Sequence, residues 1–273
     1  MAKKPSTLPK RVRTAAPAVV TRRKPASTKR NDRARAMRAV LPASEEAFVV
    51  PRRLPRGIAG LPQEVVVLSQ RARLVEATAH VVAEKGYAAA TVADIIAHAK
   101  VSRATFYELY EDKEDCFLSC FVGLARSLMD AFNAAIDAPG PLPRRLVAGV
   151  HEYLGRIDKD RWFARAFIAE AEGASPLIRE AFDAARSELD EAIRAWFAEV
   201  RATHPDVADV PDATHKLLQA GLGGFVIARV RAGTAPLEPE AATLAAFVFA
   251  TLGLYGWARR AGREVATYGS PLR

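Results

Sequence analysis

Cysteine is scarce in this chain, which contains two among its 273 residues, Cys116 and Cys120. One closely spaced pair cannot supply a disulfide framework, so the fold must depend on its hydrophobic core. Scarce cysteine fits a reducing compartment, and we expect the protein to be cytoplasmic. The two residues lie one helical turn apart. A metal or redox sensor is therefore the alternative to two buried free thiols.

Long hydrophobic runs are also nearly absent. The run 15–20 is too short for the core of a secretory signal and is interrupted by Pro17. Residues 241–258 are 18 residues without a charge, which just reaches the length of a candidate membrane-spanning helix. The stretch is rich in alanine, glycine and threonine. We therefore expect a helix buried in the protein or in an interface, with a membrane span as the alternative.

Acidic residues are missing from the start of the chain, where Asp32 is the only one among the first 44 residues. Residues 1–62 carry a net charge of +13, whereas the remainder carries −4. Frequent proline, lysine, arginine and serine, without an apolar period, predict that residues 1–62 are a disordered basic tail. Such a tail suits a polyanion such as DNA, although a mitochondrial transit peptide has a similar composition.

Motifs of the common enzyme classes are absent as well. The sequence contains no glycine-rich phosphate loop, no HExxH, no GxSxG and no cluster with metal-ligand spacing. We therefore expect no catalytic residues, no cofactor and no metal ion. A non-specific nucleic-acid-binding protein that acts through the basic tail remains the alternative to a sequence-specific one.

Helical periodicity is what the sequence does contain, and it predicts an all-α fold. Apolar spacing and stop signals predict nine helices, at 69–85, 91–98, 102–109, 113–138, 142–157, 160–172, 175–202, 211–232 and 237–263. We expect a helix-turn-helix domain over 63–112 and a larger helical domain over 113–273.

The stretch 91–113 carries the most specific pattern. Thr91 and Asp94 have the spacing of a capping box at the start of a helix, and Ser102 can cap a second helix after a tight turn. The second helix buries Phe106 on one face and presents polar side chains on the other. Two short helices joined by a tight turn predict a helix-turn-helix, whose second helix enters the major groove of DNA.

The outward residues of the second helix have side chains suited to DNA. Arg103 can pair with guanine, Ala104 can touch a thymine methyl group and Glu108 can accept from cytosine. The hydroxyls of Thr105 and Tyr107 can donate to phosphates, and Lys113 can neutralise one. The alternative to a DNA-binding face is a pair of helices whose polar faces are only exposed to solvent.

The runs 91–95, 101–107 and 110–115, together with Gly86-Tyr87, resemble the DNA-binding signature of the TetR family. The resemblance implies a three-helix DNA-binding domain followed by a larger helical domain that dimerises and binds a small-molecule effector. It also implies a repressor that leaves a palindromic operator on double-stranded DNA when the effector binds. In such proteins, residues like Thr91, Tyr107 and Lys113 hold the DNA backbone, and 103–105 contribute to base readout.

Three positions depart from the family pattern. Lys100 stands where the turn usually has glycine, and Ile96 replaces a common alanine. A left-handed backbone at Lys100 costs about 1–2 kcal/mol relative to glycine. Glu108 is acidic beside DNA and can reject some base pairs rather than attract others. These departures leave the operator sequence open.

The second domain offers scattered candidates for the effector site. We expect an apolar, aromatic-lined pocket between helices, and the candidate residues are His151, Trp162, Phe167, Glu170 and Gln219. The helix 175–202 is predicted to point Arg179, Glu180, Arg186, Glu188 and Glu191 outward. The last two helices are so apolar that we expect them to form a homodimer interface, with Gly221, Gly223, Gly224 and Ala245 allowing close approach. Burial within one subunit is the alternative.

Overall fold

The computed structural model describes residues 63–159, 161–233 and 236–258. Within these ranges the chain forms α-helices, one π-helical turn and one 3-10 turn, and no strand. The all-α prediction is confirmed. The predicted disordered tail at 1–62, the transit-peptide alternative and the end of the last predicted helix lie outside the described residues.

Ten α-helices with defined bounds follow one another in the described part of the chain, and residues 255–258 are also helical. They are α1 Gln63–Lys85, α2 Val92–Ala99, α3 Arg103–Leu109, α4 Lys113–Ile136, α5 Leu142–Lys159, α6 Arg161–Ala164, α7 Ala171–Ala174, α8 Pro176–Thr203, α9 Asp212–Ala232 and α10 Ala241–Thr251. The π-helical turn is Arg165–Ala169, and the 3-10 turn is Glu238–Glu240.

The first three helices pack around a small apolar core. Leu74 of α1, Ile95 of α2 and Phe106 of α3 are each 0% exposed. Leu74, Ala77, Val81 and Val82 of α1 are buried, and this helix begins six residues earlier than predicted. The run of three valines at 65–67 and the following Leu68 are therefore helical. The helix ends where Gly86 adopts a positive φ of 79°, which favours glycine.

The larger region is a layered bundle in which α4 packs along α5 and also contacts α8. The indole N–H of Trp196 in α8 donates to the carbonyl of Leu142 at 3.0 Å, which joins α8 to the start of α5. The long helix α8 begins with Ser175, whose hydroxyl accepts from the backbone N–H of Ile178, followed by a proline in its first turn. Both are standard helix-start signals.

Two predicted helices are interrupted. The prediction over 160–172 corresponds to α6, the π-helical turn and α7. The last predicted helix is broken after Thr251, because Gly253 takes a left-handed φ of 71° and the Leu254 N–H donates back to Phe249 O. This is a helix stop of the Schellman type. Residues 255–258 are helical again. Across the described ranges, no helix meets the length and hydropathy needed to cross a bilayer.

Candidate nucleic-acid interface and cavity

The start of α2 is held by the capping box that the sequence predicts. The Thr91 hydroxyl accepts from the Asp94 N–H at 3.1 Å, and the Asp94 carboxylate accepts from the Thr91 N–H at 3.1 Å. Lys85 at the end of α1 donates to the same carboxylate at 2.7 Å. The hydrogen bond from Lys85, followed by those from Thr91, lowers the pKa of Asp94 to about 2. The bonds therefore fix α2 against the end of α1.

The turn between α2 and α3 has a left-handed residue at Lys100, with φ 54° and ψ 45°. No other non-glycine residue in the described ranges has a positive φ. The carbonyl of Lys100 accepts a hydrogen bond from the guanidinium of Arg73 in α1 at 3.3 Å, which supports the turn. The left-handed geometry considered for this departure from the family pattern is thus confirmed.

The second helix is capped by Ser102, whose hydroxyl accepts from the Thr105 N–H at 2.9 Å. The hydroxyls of Ser102 and Thr105 also share a hydrogen bond of 2.8 Å. The hydroxyls of Ser102 and Thr105 are therefore already part of the cap. An oxygen in this position retains a lone pair, and it can still meet a phosphate or base through the remaining capacity.

The outward face of α3 carries Arg103, Ala104, Tyr107 and Glu108, and all four are exposed. Tyr107 is 49% exposed, and its ring meets the buried Phe106 ring edge-on, with 5.3 Å between centroids. The phenol is therefore held at its base by the core while its hydroxyl is free to reach outward. A recognition helix that enters the major groove requires an exposed face whose side chains are held in place by the core.

Lys113 lies at the start of α4, and its ammonium donates to the carbonyls of Tyr87 and Ala90 at 2.7 and 2.9 Å. It also sits 4.4 Å from the centre of the Tyr87 ring. Partial burial lowers the pKa of this ammonium. Lys113 therefore fastens the loop between α1 and α2 to α4. An ammonium has three N–H groups, so one is left for a phosphate.

A cavity of about 110 Å³ lies in the larger region. Its wall comes from α4, α5, α8, α9 and α10, together with Ile168 of the π-helical turn. All but four of its lining residues are apolar or glycine, and the exceptions are Tyr153, Arg186, Asp190 and Gln219. A mostly apolar cavity with a few polar groups is typical of a small-molecule site.

The predicted effector residues are distributed over several places. Gln219 lines the cavity. His151 is at the surface in an ion pair of 3.0 Å with Glu238. Trp162 is 50% exposed, and Phe167 is fully buried in the core. The cavity does not bring these residues together.

Glu170 connects the two regions. Its carboxylate accepts from the Tyr87 N–H at 3.1 Å, and it lies 3.4 Å from the position that a Cβ on Gly86 would take. The residue follows the π-helical turn, whose Ile168 lines the cavity. One short segment therefore contacts both the cavity and the loop that precedes α2.

The prediction that Arg186 points outward from α8 is wrong, because this side chain lines the cavity. Its Nε atom is buried without a hydrogen-bond partner in the described structure. An unsatisfied buried donor costs about 1–3 kcal/mol, and more when charged. The position is three residues before Leu189 and four after Phe182, both cavity residues. That helical spacing places Arg186 on the cavity side of α8, but spacing alone does not distinguish a buried arginine from a solvated one.

The two cysteines are both buried in α4. Thr78 Oγ1 lies 3.3 Å from Cys116 Sγ. Burial raises the pKa of the Cys120 thiol, and this disfavours the reactive thiolate. No group of three or more metal-ligating side chains occurs in the described ranges. These observations favour two inert buried thiols over a sensor.

Residues 74–120 match the family model described as bacterial regulatory proteins, tetR family. The match begins in α1 and continues into α4, so it contains the complete helix-turn-helix. A comparison with curated protein sequences found no relative.

Several solved structures share the fold at low sequence identity. The fatty acid degradation regulator FadR from Bacillus halodurans has a TM-score of 0.58 and 17% identity, covering 66% of this chain and 97% of its own. FadR from Bacillus subtilis, solved with stearoyl-CoA, has a TM-score of 0.56 and 16% identity, covering 64% of this chain and 96% of its own. A tetR-family regulatory protein from Rhodococcus RHA1 has a TM-score of 0.55 and 23% identity, covering 68% of this chain and 96% of its own.

Proposed function

We propose, from the match of residues 74–120 to the tetR-family model, that the protein is a sequence-specific transcriptional regulator that reads double-stranded DNA through α3. The observation that carries the proposal is the exposed face of Arg103, Ala104, Tyr107 and Glu108 on a helix capped at its start. The DNA-binding domain of the proposal is 63–112, and the effector and dimerisation domain follows it.

Each residue of the interface has a proposed role. Arg103 pairs with a guanine edge, Ala104 contacts a thymine methyl group and Glu108 selects against base pairs that offer it no donor. Tyr107 and Lys113 bind phosphates, and these contacts fix the register of α3 on the duplex. The remaining proposed contacts come from the capping hydroxyls of Thr91, Ser102 and Thr105.

The operator of the proposal is a palindrome, because we propose a homodimer through α9 and α10. Leu217 of α9 is 70% exposed and Phe247 of α10 is 41% exposed. Phe247 approaches to 3.0 Å of the position of a Cβ on Gly221, so the two helices offer one continuous apolar face. Exposed apolar surface of this kind marks an interface. Two copies then place two reading helices about 34 Å apart, one turn of DNA.

Part of the apolar surface that the sequence assigned to a partner is covered within one subunit. Leu218 and Ala245 are buried at 1% and 0% exposure. A Cβ on Gly223 would meet the Arg186 guanidinium at 3.2 Å, so this glycine also serves packing within the subunit. The proposed interface therefore consists of the outer face of the two helices alone.

Regulation is proposed to come from a small molecule in the cavity, which releases a repressor from its operator. A ligand can shift the protein between states only if it binds one of them better. The contact of Glu170 with the Tyr87 N–H supports this mechanism, because it joins the cavity wall to the loop before α2. A FadR of the same fold was solved with stearoyl-CoA, which supports a regulatory ligand in this architecture.

The test is selection of bound sequences from a random double-stranded DNA library, followed by footprinting of the selected site. We expect a two-fold symmetric site that the full chain protects. Arg103→Ala should weaken specific binding by about five-fold to a hundred-fold, since a good bidentate base contact is worth about 1–3 kcal/mol. Arg179→Ala removes an exposed arginine from α8 and serves as the matched control.

Removing residues 1–62 separates the proposal from its rival. Specific binding should survive this deletion, with a weaker dependence on salt because tail contacts to phosphates are lost. Binding that shows no sequence preference, is unaffected by Arg103→Ala and disappears with residues 1–62 would identify a non-specific nucleic-acid-binding protein instead.

A further inference from the structure

We propose that the ligand of the cavity is an amphipathic anion, with an apolar chain that fills the cavity and one acidic group that binds Arg186. This inference rests on the proposed function only in treating the cavity as the effector site. It assigns a chemical class to the ligand and an anchoring role to an arginine on the cavity wall.

The charged residues that line the cavity favour an anionic ligand. Two of its lining residues are charged, Arg186 and Asp190, and they lie one turn apart on α8. Asp190 is already bound to Arg194, at 2.6 Å from its Nε. Arg186 has no ion-pair partner among the described residues. The cavity therefore presents one uncompensated positive charge.

The Arg186 guanidinium lies between α9 and the ring of Phe182, without an acceptor for its Nε. Its Nε, Nη2 and Cζ lie 3.2–3.3 Å from where a Cβ on Gly223 would be, so the group rests directly on the backbone of α9. The ring of Phe182 flanks it at 5.9 Å. Because Nε is buried and without an acceptor, the site lacks the oxygen atoms that an arginine fork normally binds.

Two neutral groups complete the polar part of the wall. Tyr153 and Gln219 line the cavity beside Arg186, and burial raises the pKa of Tyr153 to about 12. The phenol therefore remains protonated at neutral pH and can donate to an oxygen. Arginine with a phenol and an amide is a donor-rich set that suits a carboxylate or a phosphate.

The remaining wall excludes other ligand classes. Leucine, phenylalanine, methionine and isoleucine side chains from α4, α8 and α9 surround the polar groups. A cationic ligand would meet the charge of Arg186 without a counter-ion, and a neutral apolar ligand would leave the buried donor unpaired. A polar anion without an apolar part would leave most of the wall without contacts.

The experiment uses the full chain and a set of probes that share one alkyl chain. Laurate, dodecanol and dodecyltrimethylammonium share a twelve-carbon chain and carry an anionic, a neutral and a cationic head group, and lauroyl-coenzyme A carries its anionic phosphates beyond a thioester. Binding is measured by calorimetry below the micelle concentrations. We expect an anionic probe to bind about ten-fold to a hundred-fold more tightly than dodecanol, which corresponds to a charge-assisted hydrogen bond. The cationic probe should bind more weakly still.

Variants of Arg186 assign the effect to this residue. Arg186→Gln should reduce the affinity for the anionic probe to that for dodecanol, while Arg186→Lys should retain part of the preference because it keeps the charge. Arg179→Gln, on the exposed side of the same helix, is the matched control and should leave the preference unchanged. Circular dichroism and unchanged dodecanol binding verify that each variant is folded.

The outcomes separate this inference from the proposed function. A preference for laurate indicates a free carboxylic acid and a preference for lauroyl-coenzyme A indicates an ester with phosphates, and either supports the proposal. Equal affinity for laurate and dodecanol, or an anion preference that survives Arg186→Gln, overturns it. Failure of the regulator proposal would appear instead as the absence of a DNA footprint, which does not depend on these titrations.

Discussion

Replacing Lys100 by glycine is expected to stabilise the protein. A non-glycine residue in the left-handed region costs about 1–2 kcal/mol, and Lys100 has φ 54° and ψ 45°. Glycine also raises the conformational entropy of the unfolded chain, which reduces this stabilisation by about 0.4–1 kcal/mol. The net gain in the free energy of unfolding is therefore about 0.8 kcal/mol, within a range of about 0–1.6 kcal/mol.

The substitution of Lys100 by glycine removes few contacts at the turn. The side chain of Lys100 is exposed, so little packing is lost with it. The hydrogen bonds at the turn involve backbone atoms, namely the N–H groups of Lys100 and Val101 donating to Ile96 O. The Arg73 guanidinium donates to the Lys100 carbonyl, which glycine also has.

Urea unfolding monitored by circular dichroism measures the change, at one fixed protein concentration because the stability of the proposed dimer depends on concentration. The melting temperature should rise by about 1–4 °C for a chain of this size. Lys100→Ala is the control, since it removes the ammonium but keeps the Cβ and hence the strain. A gain of equal size in both variants would attribute the effect to charge and refute the backbone argument, as would a loss in the glycine variant.

Three further predictions concern separate contacts. Because the folded pKa of Asp94 is about 2 and its ordinary value is 3.8, its contribution to stability is present above pH 4 and is lost as the pH falls towards 2. Urea midpoints against pH should therefore fall less steeply for Asp94→Asn in this range. Leu217→Glu should convert the proposed dimer to a monomer in sedimentation experiments, and a persistent dimer would place the interface elsewhere. Glu170→Ala leaves the Tyr87 N–H without its acceptor, so unfolding should cost about 1–3 kcal/mol less, and the effector should release DNA less efficiently while binding as tightly.

The helix-turn-helix was predictable because its signals are local. Thr91 and Asp94 satisfy each other's hydrogen bonds within one turn, and Ser102 caps α3 in the same way. Such contacts depend on residues three positions apart, and sequence spacing specifies them directly. The inward face of α2 and α3 follows from the helical period in the same manner.

Features that depend on a distant partner were not predictable in this way. Arg186 resembles a solvated residue until Gly223 of α9 provides the space in which its guanidinium lies. The apolar character of α9 likewise predicted an interface, but it did not separate Leu218, which is buried, from Leu217, which is exposed. Neighbouring positions on an apolar helix differ only in which element covers them.

The π-helical turn gives a physical reason for the proposed coupling between the cavity and α3. A π turn is rare, appears frequently at functional sites, and here it replaces the middle of a predicted helix. Ile168 within it lines the cavity, and Glu170 just after it binds the backbone of Tyr87. Lys113 binds the carbonyl of that same residue from α4. Because Tyr87 is held from both sides, a ligand that resets the turn must either move the loop before α2 or break the contact of Glu170, and both change how α3 is presented.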